Sequence, residues 1–401
     1  MFSQFKIQNL QFLPEIRFMP ITIRPFQEVD RQAWDSYVLN HPKGTLFHLI
    51  GWKNVVEKTF SHKSYYLLAE SIENGNASPL DNSLTHPLIN SINPTNPMNA
   101  MNSSSSSNPC KSIVGVLPLF SVRSFLFGRC LVSVPFAAYG GVLSDNQEIS
   151  VQLLEKAKEI TRSQGLEYLE IRDRNGGNDD FATKDLYFSF RREIFPDLDS
   201  NVKAIPRKSR RMVRVGEKEG LSFEFGRDEL IPVFFQIFAK GYHRLGSPVF
   251  PIKLFRNLFQ EFREKTNILI VRNRSGNPIS GVLTFFYKDE VLPYYAGSLV
   301  EYRDLAPNDF MYWQLMKHGC GNGYKVFDFG RSKIDTGSYD FKRHWGFEPE
   351  PLPYQYFLNG IQDIPNISPA NPKFQRKIEL WRKLPFWATK LLGPQIVKYI
   401  P

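Results

Sequence analysis

Apolar positions along the chain follow two periods in turn, and the order of those periods repeats. In the first pass, SIVGVLPLF (112–120) and VPFAAYGGVL (134–143) are short apolar runs of strand length. VQLLEKAKEITRSQG (151–165) then places Leu153, Leu154, Ala157 and Ile160 at helical spacing, and LEYLEIRD (166–173) returns to a short apolar run. The second pass reads PISGVLTFF (278–286), VLPYYAGSLV (291–300), DFMYWQLMKHGCGNG (309–323) with Met311, Leu315 and Met316 in register, and YKVFDFGRS (324–332). The order strand, strand, helix, strand is kept, at an offset of 166 residues for the first strand and 158 for the last. Each helix is expected to stop at glycine, Gly165 in one copy and Gly319, Gly321 and Gly323 in the other. Further helical runs precede each unit: 30–42 and 47–60 in the first half, 229–245 and 250–265 in the second. The pattern predicts an α/β (mixed α+β) protein of two sister units, each a mixed, mostly antiparallel sheet flanked by helices. It excludes a helical repeat, a β-sandwich and a doubly wound nucleotide fold with a GxGxxG start.

Residues 71–112 interrupt this order. Within 74–109 stand nine Asn, eight Ser and five Pro, a composition that buries too little apolar surface to offset ordering entropy. The flanks SYYLLAES and SIVGVLPLFSV read as partner strands, so the segment is expected to be a flexible insertion replacing a hairpin turn. The expected division is a first domain at 21–200, a second at 201–360 that includes a basic junction helix at 205–219, and a basic aromatic tail at 361–401.

Composition narrows the class. With 42% hydrophobic and 14% aromatic residues the 401-residue chain has enough apolar surface for packed cores. Cys110, Cys130 and Cys320 include no CxxC pair, which argues against a disulfide framework and a thiolate metal site and for a reducing compartment. No run of about 18 apolar residues is present, and MFSQFKIQNLQFLPEIRF lacks the apolar centre of a signal peptide. The expectation is a cytoplasmic protein without a metal.

The net charge of +10 is concentrated. Residues 203–218 and 373–398 each hold seven basic residues and one acidic, +6 apiece, which leaves the remainder at −2. Duplex DNA would need a broader basic surface, so two anion-seeking segments are the better reading. On a helix opened by Pro206, the residues Arg207, Arg211, Arg214 and Lys218 fall at spacings of 4, 3 and 4, a row suited to the phosphates of a carrier: a nucleotide, a lipid pyrophosphate or a transfer-RNA acceptor stem. The tail mixes Trp381, Phe386, Trp387, Leu391 and Leu392 with Lys and Arg, which suits packing on the second domain, the commoner fate of Trp and Phe, or lying on an anionic membrane.

The segments IPRKSRRMVRVGEKEGL (205–221), YHRLGSPVFP (242–251), GVLTFFYKDEVLPYYAG (281–297), NDFMYWQLM (308–316) and YKVFDFGRSKIDTGSYDFKRHWGFEP (324–349) together resemble the tandem N-acyltransferase (GNAT) fold of FemA/FemB/FemX-type aminoacyltransferases. The likeness is closer still to the FemAB-like proteins of exosortase/PEP-CTERM exopolysaccharide systems. The resemblance implies an enzyme that joins an activated acyl group to an amine of a cell-envelope or exopolysaccharide precursor, an amino sugar for example, at the inner face of the membrane. It implies acyl-CoA or aminoacyl-tRNA as donor. Phe341-Lys342 matches the family's Phe-Lys pair, whose Lys is taken to stabilise the developing oxyanion. Asp328 and Asp340 are the nearest carboxylates for a base. His243, Tyr294, Tyr295, Tyr339 and Arg331 are polar candidates for substrate binding, and Asn308 stands as an expected N-cap where coenzyme A users hold pyrophosphate. That start, EYRDLAPNDF, has no Gly and carries Asp309, which argues against a standard acetyl-CoA site. A catalytically silent module binding anions or a lipid-linked glycan is the alternative reading.

Overall fold

Each repeated unit is built around two parallel strands that touch for a few residues and then part. In the first, Gly128–Val132 lies parallel to Tyr168–Ile171; in the second, Glu290–Ser298 lies parallel to Val326–Asp328, paired only at Glu290–Val326 and Val291–Phe327. The crossover helices between them are Gln147–Ser163, which buries Leu153, Leu154 and Ala157, and Pro307–Gly321, which buries Met311, Leu315 and Met316. The computed structural model describes residues 20–73, 110–124, 128–174, 180–366 and 371–400. The insertion expected at 71–112 lies almost wholly outside the described residues, but its flanks do pair: Leu67–Glu73 is antiparallel to Cys110–Leu117.

The first half carries two sheets. Ile21–Pro25, Leu67–Glu73, Cys110–Leu117 and Leu143–Ser144 form one, and the chain then bends past Pro118 into Phe120–Ser124 and Gly128–Val132 of the other. In the second half a single six-stranded sheet holds Ser222–Gly226, Thr266–Arg272, Pro278–Tyr287, Glu290–Ser298 and Val326–Asp328, with a sixth strand described below. The four expected helices preceding the units are present as Arg31–Asn40, Ile50–Phe60, Ile231–Leu245 and Ile252–Phe262.

One expected strand is absent. Residues 134–143 leave the sheet, and only Leu143–Ser144 rejoins it opposite Val116 and Gly115. The backbone of this excursion is held elsewhere: Arg172 Nη1 donates to the carbonyls of Val134 (3.2 Å) and Ala137 (3.0 Å), and Gly140 N donates to the carbonyl of Arg172 (2.8 Å). In the second copy the matching place is only a bulge, where Leu283 faces Tyr295 and Thr284 faces Pro293, so that Tyr294 has no partner across the ladder.

The halves are laced together by exchanged strands. Arg191–Glu193, which follows the first unit, adds to the second sheet beside Val326–Asp328. Tyr354–Leu358, which follows the second unit, adds to the first half's sheet beside Tyr168–Ile171. The sister helices Ile50–Phe60 and Ile252–Phe262 also pack together so closely that a methyl group on Gly51 would meet the Phe262 ring at 2.7 Å. Asn54 and Lys58 both donate to the Glu261 carboxylate, at 2.8 and 2.6 Å. One apolar core runs through both halves, from Trp34 and Phe47 to Phe238, Phe285 and Tyr354.

Candidate active site

Because the second parallel pair parts after two residues, a cleft opens at the carboxyl end of Val326–Asp328. Its walls are Phe136, Ala138 and Arg172 from the first half, Tyr242 and Phe250, the bulge Pro293–Tyr295, and the turn Phe329–Arg331. Val397 and Ile400 from the tail close one side. The turn needs Gly330 at φ +66°, a left-handed conformation that glycine adopts without strain.

Lys342 lies under this turn. It sits on the helix Gly337–His344, N-capped by the Thr336 side chain, and is only 8% exposed. Its Nζ donates to the carbonyls of Gly330 (3.1 Å) and Arg331 (3.2 Å) and lies 5.3 Å from the centre of the Phe190 ring. Burial pulls its pKa from 10.5 down to about 7, against the pull of Asp328 in the other direction. Two hydrogen bonds leave the ammonium one N–H to offer, and both protonation states are populated near neutrality. Its neighbour Phe341 packs against Tyr312, Phe329 and Trp345 and so fixes the helix to the core.

Arg331 reaches the same cleft. Its guanidinium stands 4.5 Å from the Tyr187 ring centre, and Nη1 donates to the Tyr354 hydroxyl (2.6 Å), which itself donates to the carbonyl of Ala138. Tyr295 lines the cleft with a buried hydroxyl that, among the described residues, has no hydrogen-bond partner, and burial raises its pKa well above 10. Tyr294 donates to the Phe136 carbonyl at 3.2 Å. The structure therefore brings Arg331, Tyr294 and Tyr295 into one cleft, while Lys342 is not among its lining residues and adjoins it through the Gly330 and Arg331 carbonyls.

The other expected members are either engaged by neighbours or turned away from the cleft. Asp328 is 1% exposed, and its oxygens are already engaged: they accept from the Tyr139 hydroxyl (2.5 Å), Arg174 Nη2 (3.1 Å) and Gly330 N (2.7 Å), with Arg191 Nε at 3.3 Å. Glu290 completes the group by pairing with Arg191, and burial raises its pKa. Asp328 thus ties together one loop from each half and the exchanged strand. Asp340 is exposed and two residues from Lys342 on a helix, a spacing that points side chains apart. His243 is drawn away by the tail, its ring Nε2 lying 3.0 Å from the Leu384 carbonyl. Asn308 is not the cap: Ala306 takes that position at φ +53°, and Pro307 opens the helix. Tyr339 packs edge-on to Phe188 and Phe190.

The basic helix forms as Arg207–Lys218, one residue after Pro206. Ser209, Val213 and Gly216 are its buried side, and Ser209 Oγ donates to the His344 carbonyl (2.7 Å). Arg207, Arg211, Arg214 and Lys218 face solvent, and among the described residues none pairs with a carboxylate. They do not line the cleft.

Neither crossover helix start suits a pyrophosphate. In Pro307–Gly321 the first residue has no N–H, and Asp309 in the first turn accepts from Trp345 Nε1 (3.0 Å). In Gln147–Ser163 the Asn146 side chain already accepts from Ile149 N, and Glu148 adds a negative charge. Residues of this kind do not fit coenzyme A.

Reading residues singly missed Tyr139, Arg174, Arg191 and Tyr354. The charged run Arg172-Asp173-Arg174 directly after an apolar strand was the available signal, since charge at a strand end gathers where loops meet.

Comparison with known proteins bears on the fold. Residues 201–343, from the basic helix through Lys342, match the acetyltransferase (GNAT) domain family. The Staphylococcus aureus lipid II:glycine glycyltransferase is 26% identical over 255 residues, 58% of each chain. That of Staphylococcus haemolyticus is 30% identical over 135 residues, 31% of this chain and 32% of its own. The chain thus spans between about a third and three fifths of these relatives' length. The crystal structure of FemX superposes with a TM-score of 0.59 over 88% of this chain and 99% of its own, at 17% identity. The chain thus shares the fold of FemX, and residues 201–343 match the GNAT acetyltransferase domain.

Proposed function

We propose that the protein transfers an aminoacyl group to an amine of a lipid-linked cell-envelope precursor at the cytoplasmic face of the membrane. One observation carries this reading. A buried lysine of near-neutral pKa underlies a cleft that both halves wall, inside a segment matched to a transferase family. The acceptor amine attacks the carbonyl carbon of the donor ester, a C–N bond forms, the ester C–O bond breaks, and the amine's proton leaves with the departing hydroxyl. Protonated Lys342 offers its remaining N–H and its charge to the oxyanion in between. Arg331 and the tyrosines orient the acceptor. In this reading the working units are 21–200 and 201–360, with 361–401 as an accessory tail.

The helix starts speak against acyl-CoA, and the exposed arginine row supports a polyanionic donor such as aminoacyl-tRNA. The glycyltransferase relatives support a lipid II type of acceptor. The exosortase-associated likeness expected from the sequence would make the acceptor an exopolysaccharide precursor instead. Offering the purified protein labelled glycyl-tRNA or acyl-CoA with lipid II or an amino-sugar precursor separates these cases. Transfer from acyl-CoA alone overturns the donor assignment, and binding of both partners without any transfer favours the silent module.

The arginine row yields a separate expectation. Replacing Arg207, Arg211 and Arg214 together by Gln should leave unfolding stability within about 0.5 kcal/mol, because all three are exposed and, among the described residues, unpaired with a carboxylate. Transfer-RNA binding should weaken, and the slope of log K against log salt should fall by about 2 for three lost phosphate contacts. Filter binding across a salt series measures this, and an unchanged slope removes the row from the donor site.

A further inference from the structure

The basic aromatic tail is folded, and it leaves one side unpaired. Its helices Pro372–Lys383 and Phe386–Val397 rest on the end of Ile231–Leu245. Arg382 Nη2 donates to the Leu245 carbonyl (3.2 Å), and the Gly393 position lies against Val249 so closely that a methyl group there would meet its backbone at 2.8 Å. Ala388, Thr389, Gly393 and Val397 are the buried side of the last helix.

On its opposite side Trp387 is 67% exposed and Leu391 66%, one turn apart. On the preceding helix Leu380 is 65% exposed. Lys373, Arg376, Lys377 and Lys383 fall on the same face as Leu380 at helical spacing, all exposed and, among the described residues, none paired with a carboxylate. Glu379 is the one acidic residue between 373 and 398.

We propose that these two helices dock the protein on an anionic lipid membrane, lying in the plane of its interface. Large apolar side chains standing out between lysines and arginines suit the headgroup boundary, where the rings and leucines enter the acyl region and the cations meet lipid phosphates. Nucleic acid would use the charge but not the protruding leucines. A second copy would set one +6 segment against another. Twelve residues per helix is about 18 Å, too short to span a bilayer, and among the described residues no helix is long and apolar enough to cross one.

The docking has a consequence for the cleft. Val397, on the buried side of the last helix, and Ile400 just beyond it wall the cleft, so the docking element and the cleft adjoin. A lipid-linked acceptor would reach it without leaving the bilayer. That last step rests on the proposed transfer reaction; the docking itself does not.

Flotation of the full chain with phosphatidylcholine vesicles, with and without phosphatidylglycerol, tests the proposal. The protein should float with the anionic vesicles at low salt and be released at high salt. Trp387→Glu/Leu391→Glu should lower the partition coefficient at least about tenfold. The same variant should keep the wild-type melting temperature and full transfer to a water-soluble acceptor lacking the lipid. No flotation, equal binding to neutral vesicles, an unaffected double variant, or a dimer in sedimentation that the double variant abolishes would each overturn the docking. Loss of transfer to the soluble acceptor in wild type would count against the reaction and leave the docking standing.

Discussion

Lys342→Met is expected to lower the transfer rate by about a hundredfold or more while leaving the folded protein nearly as stable at pH 6. The rate loss is that of removing one preorganised donor from a developing oxyanion. Stability is spared because two effects oppose. The carbonyls of Gly330 and Arg331 lose their donor, at about 1–3 kcal/mol, but a buried charge also disappears. Catalysis and folding make opposite demands on this amine. Its folded pKa of about 7 is below the unfolded value of 10.5, so between those two pH values the unfolded chain binds the extra proton and wild-type stability rises with pH. Below pH 7 both states are protonated and the full penalty, on the order of 5 kcal/mol at most, is present. The transfer rate should instead fall as pH rises through about 7, where the ammonium is lost. Urea denaturation of wild type and variant at several pH values, with rates beside them, measures both slopes. A variant that keeps the wild-type stability slope shows that this amine is not the group titrating, and a variant that keeps the rate removes Lys342 from the chemistry.

Asp328→Asn should act mainly on the fold. The carboxylate is fully enclosed by Tyr139, Arg174, Arg191 and the Gly330 amide, and its loss leaves two guanidinium groups facing Glu290 alone. Breaking a buried pair in this way costs about 3–5 kcal/mol. Amide hydrogen exchange should speed up in the strand Arg191–Glu193 and in the 134–142 excursion, which the same cluster holds. A base would behave otherwise: the variant would keep its stability and lose rate. Equilibrium unfolding and single-turnover rates on one preparation tell these outcomes apart.

The parts visible beforehand were those set by local periodicity. Both crossover helices, the four preceding helices and the closing strands follow from apolar spacing that any packed sheet would impose. The segment 134–143 has the same apolar density as 291–300 yet leaves the sheet, because a buried Arg172 satisfies its carbonyls in place of a neighbouring strand. That exchange of partners is tertiary and leaves no mark on the segment itself. The crossed strands were hidden for a like reason, as each pairs with a residue run more than a hundred positions away. Lys342 was placed by likeness to a family and then found buried. Asp340, His243 and Asn308 had the right chemistry at the right distance along the chain, and the helix phase, the tail and a left-handed Ala306 set them aside.

The exchange of strands also bears on synthesis. While the chain leaves the ribosome, Tyr168–Ile171 has an open edge until Tyr354–Leu358 emerges, roughly 190 residues later, which at typical translation speeds is about 10–40 s. During that interval the nascent first half exposes an apolar strand to any passing partner, the condition under which chaperones are recruited and misassembly begins. A chain cut short before Tyr354 would stay in that condition permanently, so premature termination late in the message should yield aggregates rather than a soluble half enzyme.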